Sequence, residues 1–231
     1  MLAAAGGVAL ATAAAANPLD VPGDVQRRVR AATVEVLPAR CGGAVAGSAT
    51  LVVTARHCAE RVGDRVHVRP ARADDAVGAR VIATDEAADQ AVLALDAPVA
   101  ATPLVVASRL PIEGTVLFFA GNPRQTKWQS VRVDRIGTCP SLPDLPTALF
   151  TSLRGAPGDS GAPLVDGAGR IVGLVHGGAR CAIATPGTTL HALLERAQRE
   201  VAAPAAKPAV APAPGTRPVD IQTLVWVRRT R

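Results

Sequence analysis

The sequence predicts an all-β protein closed by one C-terminal helix. Its apolar runs are short, rich in Val, Ile, Leu and Ala, and separated by Gly, Pro and Asp, the punctuation of strands joined by turns. Near the end, Leu190, Leu193, Leu194, Ala197 and Val201 recur at helical spacing behind Thr188 and Thr189, either of which can cap the helix. With three Phe, two Trp and no Tyr in 231 residues, the core must come from close packing of small aliphatic side chains rather than rings.

In chain order, Pro18, Pro22 and Gly23 make residues 17–23 a loop, and Val29, Val34, Val36 and Leu37 make 26–37 an entering strand. A hairpin follows over 41–53, with Gly47 and Ser48 at its turn. Short strands are expected at 66–69 and 79–83, then an acidic loop of Asp85, Glu86 and Asp89 leads into a buried strand over 91–95. Pro98 and Pro103 mark a crossing between two halves over 97–110. The second half offers strands at 116–120, 128–136 and 149–151, with a sharp turn at Gly121, Asn122 and Pro123. Pro140, Pro143 and Pro146 space out a loop that either borders a substrate cleft or is a surface excursion. Strands at 162–165 and 170–176 flank the turn Asp166, Gly167, Ala168, Gly169, and 181–185 is the return strand.

The chain ends read differently. Residues 1–16, apolar and closing on Ala14, Ala15 and Ala16, are expected to be a secretory signal cleaved after Ala16, although a positively charged segment before the apolar stretch is missing. Residues 17–200 form the folded domain, 201–218 an Ala/Pro-rich linker, and 219–231 a basic segment that either docks on an acidic partner or is solvated. The net charge is +6, but the arginines are scattered and not interleaved with aromatics, which argues against nucleic-acid binding. The apolar start is too short for stable membrane insertion. Four cysteines allow three pairings, or four buried thiols, and no close Cys-x-x-Cys pair points to zinc.

The chemistry centres on Gly158, Asp159, Ser160, Gly161, Ala162, Pro163 and Leu164. A serine hydroxyl is a weak nucleophile until a base takes its proton. Thr54, Ala55, Arg56, His57 and Cys58 offer the base, and Asp89 at the mouth of an apolar run offers an acid to orient it. The order His57, Asp89, Ser160 and the segment around His57 resemble the chymotrypsin/trypsin-like serine peptidase family, especially its compact bacterial members. The Gly-x-Ser-x-Gly elbow and triad order of an α/β hydrolase do not fit.

The resemblance implies two antiparallel six-stranded β-barrels with a cleft at their junction and the terminal helix packed on the second barrel. It implies a secreted or periplasmic serine endopeptidase, without cofactor or metal, acting as a monomer on protein or peptide substrates. His57 would be the base, Asp89 its orienting acid in preference to Asp85 or Asp96, and Ser160 the nucleophile. Backbone N–H groups of Gly158 and Ser160 would form the oxyanion hole. Disulfides would join Cys41 to Cys58 and Cys139 to Cys181. Arg154, His176, Gly177 and Gly178 would border the substrate. His176 is either a pocket residue or a structural one where relatives commonly carry serine. Two basic side chains in the pocket would favour acidic substrates, and the open wall at Gly177 and Gly178 would favour small apolar ones. No apolar Ile-Val-Gly-Gly type of segment announces activation by a freed N-terminus. The competing expectation is a binding or scaffold module of the same fold with little turnover.

Overall fold

The computed structural model describes residues 21–124, 128–177 and 181–202. Its strands close into two barrels. The first contains β1 (Thr33–Leu37), β2 (Cys41–Val45), β3 (Leu51–Ala55), β4 (Arg65–Pro70), β5 (Val77–Asp85) and β6 (Gln90–Leu95), joined around the barrel in the order β1-β2-β3-β6-β5-β4. The second contains β7 (Val116–Phe119), β8 (Gln129–Gly137), β9 (Ala148–Thr151), β10 (Pro163–Val165), β11 (Ile171–Gly177) and β12 (Ala182–Pro186), in the order β10-β11-β12-β9-β8-β7. Every pairing is antiparallel, and the two halves share one connectivity without a repeated sequence.

Alternation places the residues. In β4, Val66 and Val68 point inward while Arg65 and His67 are exposed, and in β8, Val131 and Val133 are buried while Arg132 and Asp134 are exposed. Strands β2 and β3 are buried on both faces, which explains their near-continuous runs of Ala, Gly, Val and Leu.

Three expectations about the ends and edges change. Residues 26–37 are not one strand: α1 (Gly23–Ala32) precedes β1, because Val25, Val29 and Ala32 fall on one helical face and are buried. Arg28 of this helix donates to the Ala168 carbonyl at 2.6 Å, fixing it on the turn between β10 and β11. The terminal helix α2 (Gly187–Ala202) begins before both threonines and runs two residues into the expected linker. Its face of Leu190, Leu193, Leu194 and Ala197 joins the core of the first barrel, with contacts to β5 and β6 as well as to β11 and β12, while Val201 is exposed. The helix therefore clasps both barrels rather than packing on the second alone.

Both expected disulfides are formed, Cys41–Cys58 and Cys139–Cys181. The loop carrying Pro140 and Pro143 has its own small core, in which Leu142 and Leu145 pack with Cys139, Ala148 and Ile183. The expected signal 1–16, the linker beyond Ala202 and the basic end lie outside the described residues.

Candidate active site

Thr54 and Ala55 end β3, and the chain then turns through a single 3₁₀ turn, Arg56–Cys58. Cys58 anchors the end of that turn to Cys41 on β2. His57 is thereby held at the rim of the first barrel with its side chain 42% exposed, open enough for proton exchange.

Asp89 immediately precedes β6 and has a left-handed backbone, φ 50°. It grips the histidine turn three times. Its carbonyl accepts from the Arg56 N–H at 2.9 Å, Oδ1 accepts from the His57 N–H at 2.9 Å, and Oδ2 receives the His57 ring Nδ1 at 2.7 Å. A carboxylate opposite Nδ1 fixes the tautomer with its proton there, leaving Nε2 as the basic nitrogen. Burial of Asp89 would raise its pKa, but hydrogen bonds from His176 and His57 overcome that and hold it down at about 2. The Asp89 hydrogen bond raises the His57 pKa above its ordinary value, partly offset by burial.

Gln90, fully buried at the head of β6, keeps Asp89 in register. Its Nε2 donates to Thr185 Oγ1 at 2.9 Å and to the Pro186 carbonyl at 3.0 Å, while its Oε1 accepts from Thr189 Oγ1 at 2.9 Å. The polar head of an otherwise apolar run was its sequence signal.

Ser160 lies in the loop leading into β10. Its carbonyl accepts from the Gly42 N–H of the first barrel at 2.8 Å, and the next residue donates to the Val175 carbonyl on β11 at 2.8 Å. That next residue must be glycine: φ is 80° at Gly161, and a Cβ there would come within 2.6 Å of the Ala55 amide nitrogen. Gly177 faces Ser160 directly, since a Cβ on it would lie 2.7 Å from Ser160 Oγ. Gly158 has φ 97°. Among the described residues, the N–H groups of Gly158 and Ser160 have no acceptor, whereas those of Asp159, Gly161 and Ala162 each have one.

His176 lines the cavity beside Ser160, and its ring nitrogen is at the same time aimed at the acid. Its Nδ1 lies 2.7 Å from Asp89 Oδ2, the same oxygen that His57 reaches, and the two imidazoles meet edge to face at 5.6 Å between centroids. The ring nitrogen is therefore turned to the buried acid. Arg154 is exposed and is absent from the wall of the cavity beside Ser160, which passes from Leu153 to Gly155. That cavity measures about 680 Å³; Leu153, Val175, Gly177, Ala182 and Ile183 give it an apolar side, and Asp159, Ser160 and His176 line it too. Gly178 lies outside the described residues.

A ring nitrogen of His57, a ring nitrogen of His176 and a carboxylate oxygen of Asp89 sit within 4.8 Å of one another. Both ring nitrogens are aimed at one oxygen, so the three groups are satisfied by hydrogen bonds without a cation. The cysteines near His57 are oxidised and offer no thiolate.

Two six-stranded barrels, with a histidine–aspartate pair on the first and a glycine-flanked serine leading into the second, define the class of two-barrel serine peptidases. Residues 41–174 match the trypsin-like peptidase domain, and the chain belongs to that family. It is a serine-type endopeptidase acting on protein or peptide substrates. Among solved structures it is similar to the Rv3671c protease of M. tuberculosis H37Rv in an inactive form (22% identity, 78% of this chain and 97% of that one, TM-score 0.60). It is similar also to Deg5 (20% identity, 73% and 89%, TM-score 0.59) and to the HtrA-type protease AlgW with a tripeptide (18% identity, 75% and 62%, TM-score 0.64). No curated protein matches the chain.

Proposed function

We propose that this endopeptidase cleaves through an acyl-enzyme on Ser160, with His57 as general base and acid and Asp89 as the group that orients it. The observation that carries the reading is the 2.7 Å contact between His57 Nδ1 and Asp89 Oδ2, which leaves Nε2 free to take the Ser160 proton as Oγ attacks the amide carbonyl. Asp89 stabilises the imidazolium that forms, and His57 returns the proton to the leaving amine. Water then repeats the attack on the ester. The unengaged N–H groups of Gly158 and Ser160 support their role as donors to the developing oxyanion.

The apolar side of the cavity, with Arg154 outside the lining and the His176 Nδ1 that borders it already engaged by Asp89, supports a small or medium apolar side chain before the scissile bond. The peptidase domain starts at residue 17 after removal of residues 1–16, ends with α2 at Ala202, works as a monomer and is exported. Two disulfides support an oxidising compartment. Among the described residues no helix is long and apolar enough to cross a membrane.

The deciding experiment is labelling of the purified chain by a serine-directed peptidyl phosphonate, with the adduct located by peptide mass. Wild type takes the label on Ser160, while His57→Ala and Ser160→Ala do not. A folded wild-type chain that stays unlabelled and hydrolyses nothing would establish the binding-module alternative. A mixed peptide library read by mass spectrometry tests the pocket, and a strong preference for acidic, Lys or Arg side chains would overturn its apolar reading.

A further inference from the structure

Asn122 follows β7 in a tight Gly-Asn-Pro turn, and the sequence gives it no role beyond turning the chain. In the structure it is fully buried and its side chain is spent on three partners. Nδ2 donates to the Arg40 carbonyl at 3.1 Å and to the Gly158 carbonyl at 3.3 Å, and Oδ1 accepts from the Arg124 N–H at 2.9 Å. This assignment of the amide is fixed by its surroundings, because the flipped amide would set an oxygen against two carbonyls and a donor against a donor. The Asn122 backbone N–H adds a bond to Asp159 Oδ1 at 3.3 Å.

These bonds converge on one peptide unit. The Gly158–Asp159 peptide sits between the two peptides whose N–H groups serve the proposed oxyanion hole, those of Gly158 and Ser160. Its C=O is held by Asn122 and its N–H by the Ala156 carbonyl at 3.0 Å. Fixing both ends of that unit fixes the rotation of the loop at Gly158, a residue whose φ of 97° no side chain constrains. The opposite end of the clamp is firm. Arg40 begins the return into β2, two residues before the Gly42 N–H that holds the Ser160 carbonyl, and its side chain pairs with the fully buried Glu35 at 3.3 Å. One edge of the first barrel therefore grips the nucleophile loop on both sides of Asp159, once directly through Gly42 and once through Asn122.

We propose that Asn122 is a positioning residue that sets the oxyanion donors before substrate arrives, by holding the Gly158–Asp159 peptide against the first barrel. The inference rests on the reading of Gly158 and Ser160 as those donors. Preorganised donors act on the charge that develops in the tetrahedral state and little on the bound substrate. Losing the clamp should therefore lower kcat and leave KM nearly alone.

The test uses the full mature chain and compares wild type, Asn122→Ala and Asn122→Ser. The readouts are kcat and KM on an apolar peptide amide, the inhibition constant of a peptide aldehyde whose adduct on serine carries an oxyanion, and phosphonate labelling. The expected result for Asn122→Ala is a kcat lower by about 100-fold, the size of losing one oxyanion donor, with KM changed by less than about threefold and aldehyde affinity falling in parallel with kcat. Asn122→Ser keeps a small hydroxyl donor in the buried site and should fall between the two. It carries the same comparison should the alanine variant fail to fold. A rise in KM at constant kcat, or aldehyde affinity unchanged while kcat falls, would assign Asn122 to packing and overturn the proposal. Wild type labelled on Ser160 with unaltered kinetics in both variants would reject this inference alone, whereas unlabelled wild type would reject the nucleophile reading and this inference with it.

Discussion

His176 Nδ1 meets Asp89 at the oxygen that also receives His57 Nδ1, each at 2.7 Å. Both lone pairs of Oδ2 are thus occupied by imidazoles, and a carboxylate only 8% exposed stays ionised because of them. Since its folded pKa of about 2 lies below the ordinary 3.8, Asp89 contributes stability that is full above 3.8 and lost as pH falls through about 2. Replacing His176 by Ala removes one of the two donors. The variant should lose about 1.5–3 kcal/mol of stability at neutral pH and begin acid unfolding at higher pH than wild type, read by circular dichroism. His176→Ser, which supplies a hydroxyl, should recover part of both. Equal acid midpoints for wild type and His176→Ala would count against the bond.

His57 titrates in the opposite sense. Its folded pKa is raised, so its pairing with Asp89 stabilises the fold fully below 6.5 and fades as pH rises through the higher folded value. The base needed for attack is the neutral ring. The acid limb of kcat/KM should accordingly have its midpoint above 6.5, and peptide hydrolysis followed from pH 5 to 9 checks it. Asp89→Asn should lower kcat by about 10⁴-fold, because an amide cannot favour the Nδ1–H tautomer or stabilise the imidazolium.

Gly177 borders Ser160, the proposed nucleophile. A methyl group there would lie 2.7 Å from Ser160 Oγ, so Gly177→Ala must displace one or the other. Since a displacement near 1 Å can cost about 100-fold in rate, kcat/KM and phosphonate labelling should both fall by that order. The melting temperature should change little, because residue 177 is exposed at the end of β11. An alanine variant of undiminished activity would show that the contact is relieved without disturbing Ser160.

Gly161 is a structural requirement instead. Its left-handed φ of 80° and the nearness of the Ala55 amide make Gly161→Ala doubly unfavourable, by about 3 kcal/mol in all. Urea unfolding should register that loss even in a Ser160→Ala background, where chemistry cannot contribute.

Much of this protein was legible in its residues. Short Val- and Leu-rich runs between turn formers marked nearly every strand, because the period of two and the need for φ > 0 at tight turns are local properties. The pentad ending in Cys58 and the glycine-flanked Ser160 marked the proposed reacting groups, because nucleophile and base must be specific residue types whatever surrounds them. The entering helix α1 was missed where its last turn runs without a break into β1, since apolar residues at 25, 29, 34 and 36 satisfy both periods in part. What the sequence could not determine were the long-range partners. His176 and Asp89 are 87 positions apart, and Asn122 and Gly158 are 36 apart. Whether a histidine on β11 that borders the cavity also reaches the acid, and whether an asparagine in a turn is idle or holds a loop, depends on where the closure of two barrels brings their edges together. Only the tertiary structure decided that, because hydrogen-bond direction is set by the meeting of both partners and is encoded in neither alone.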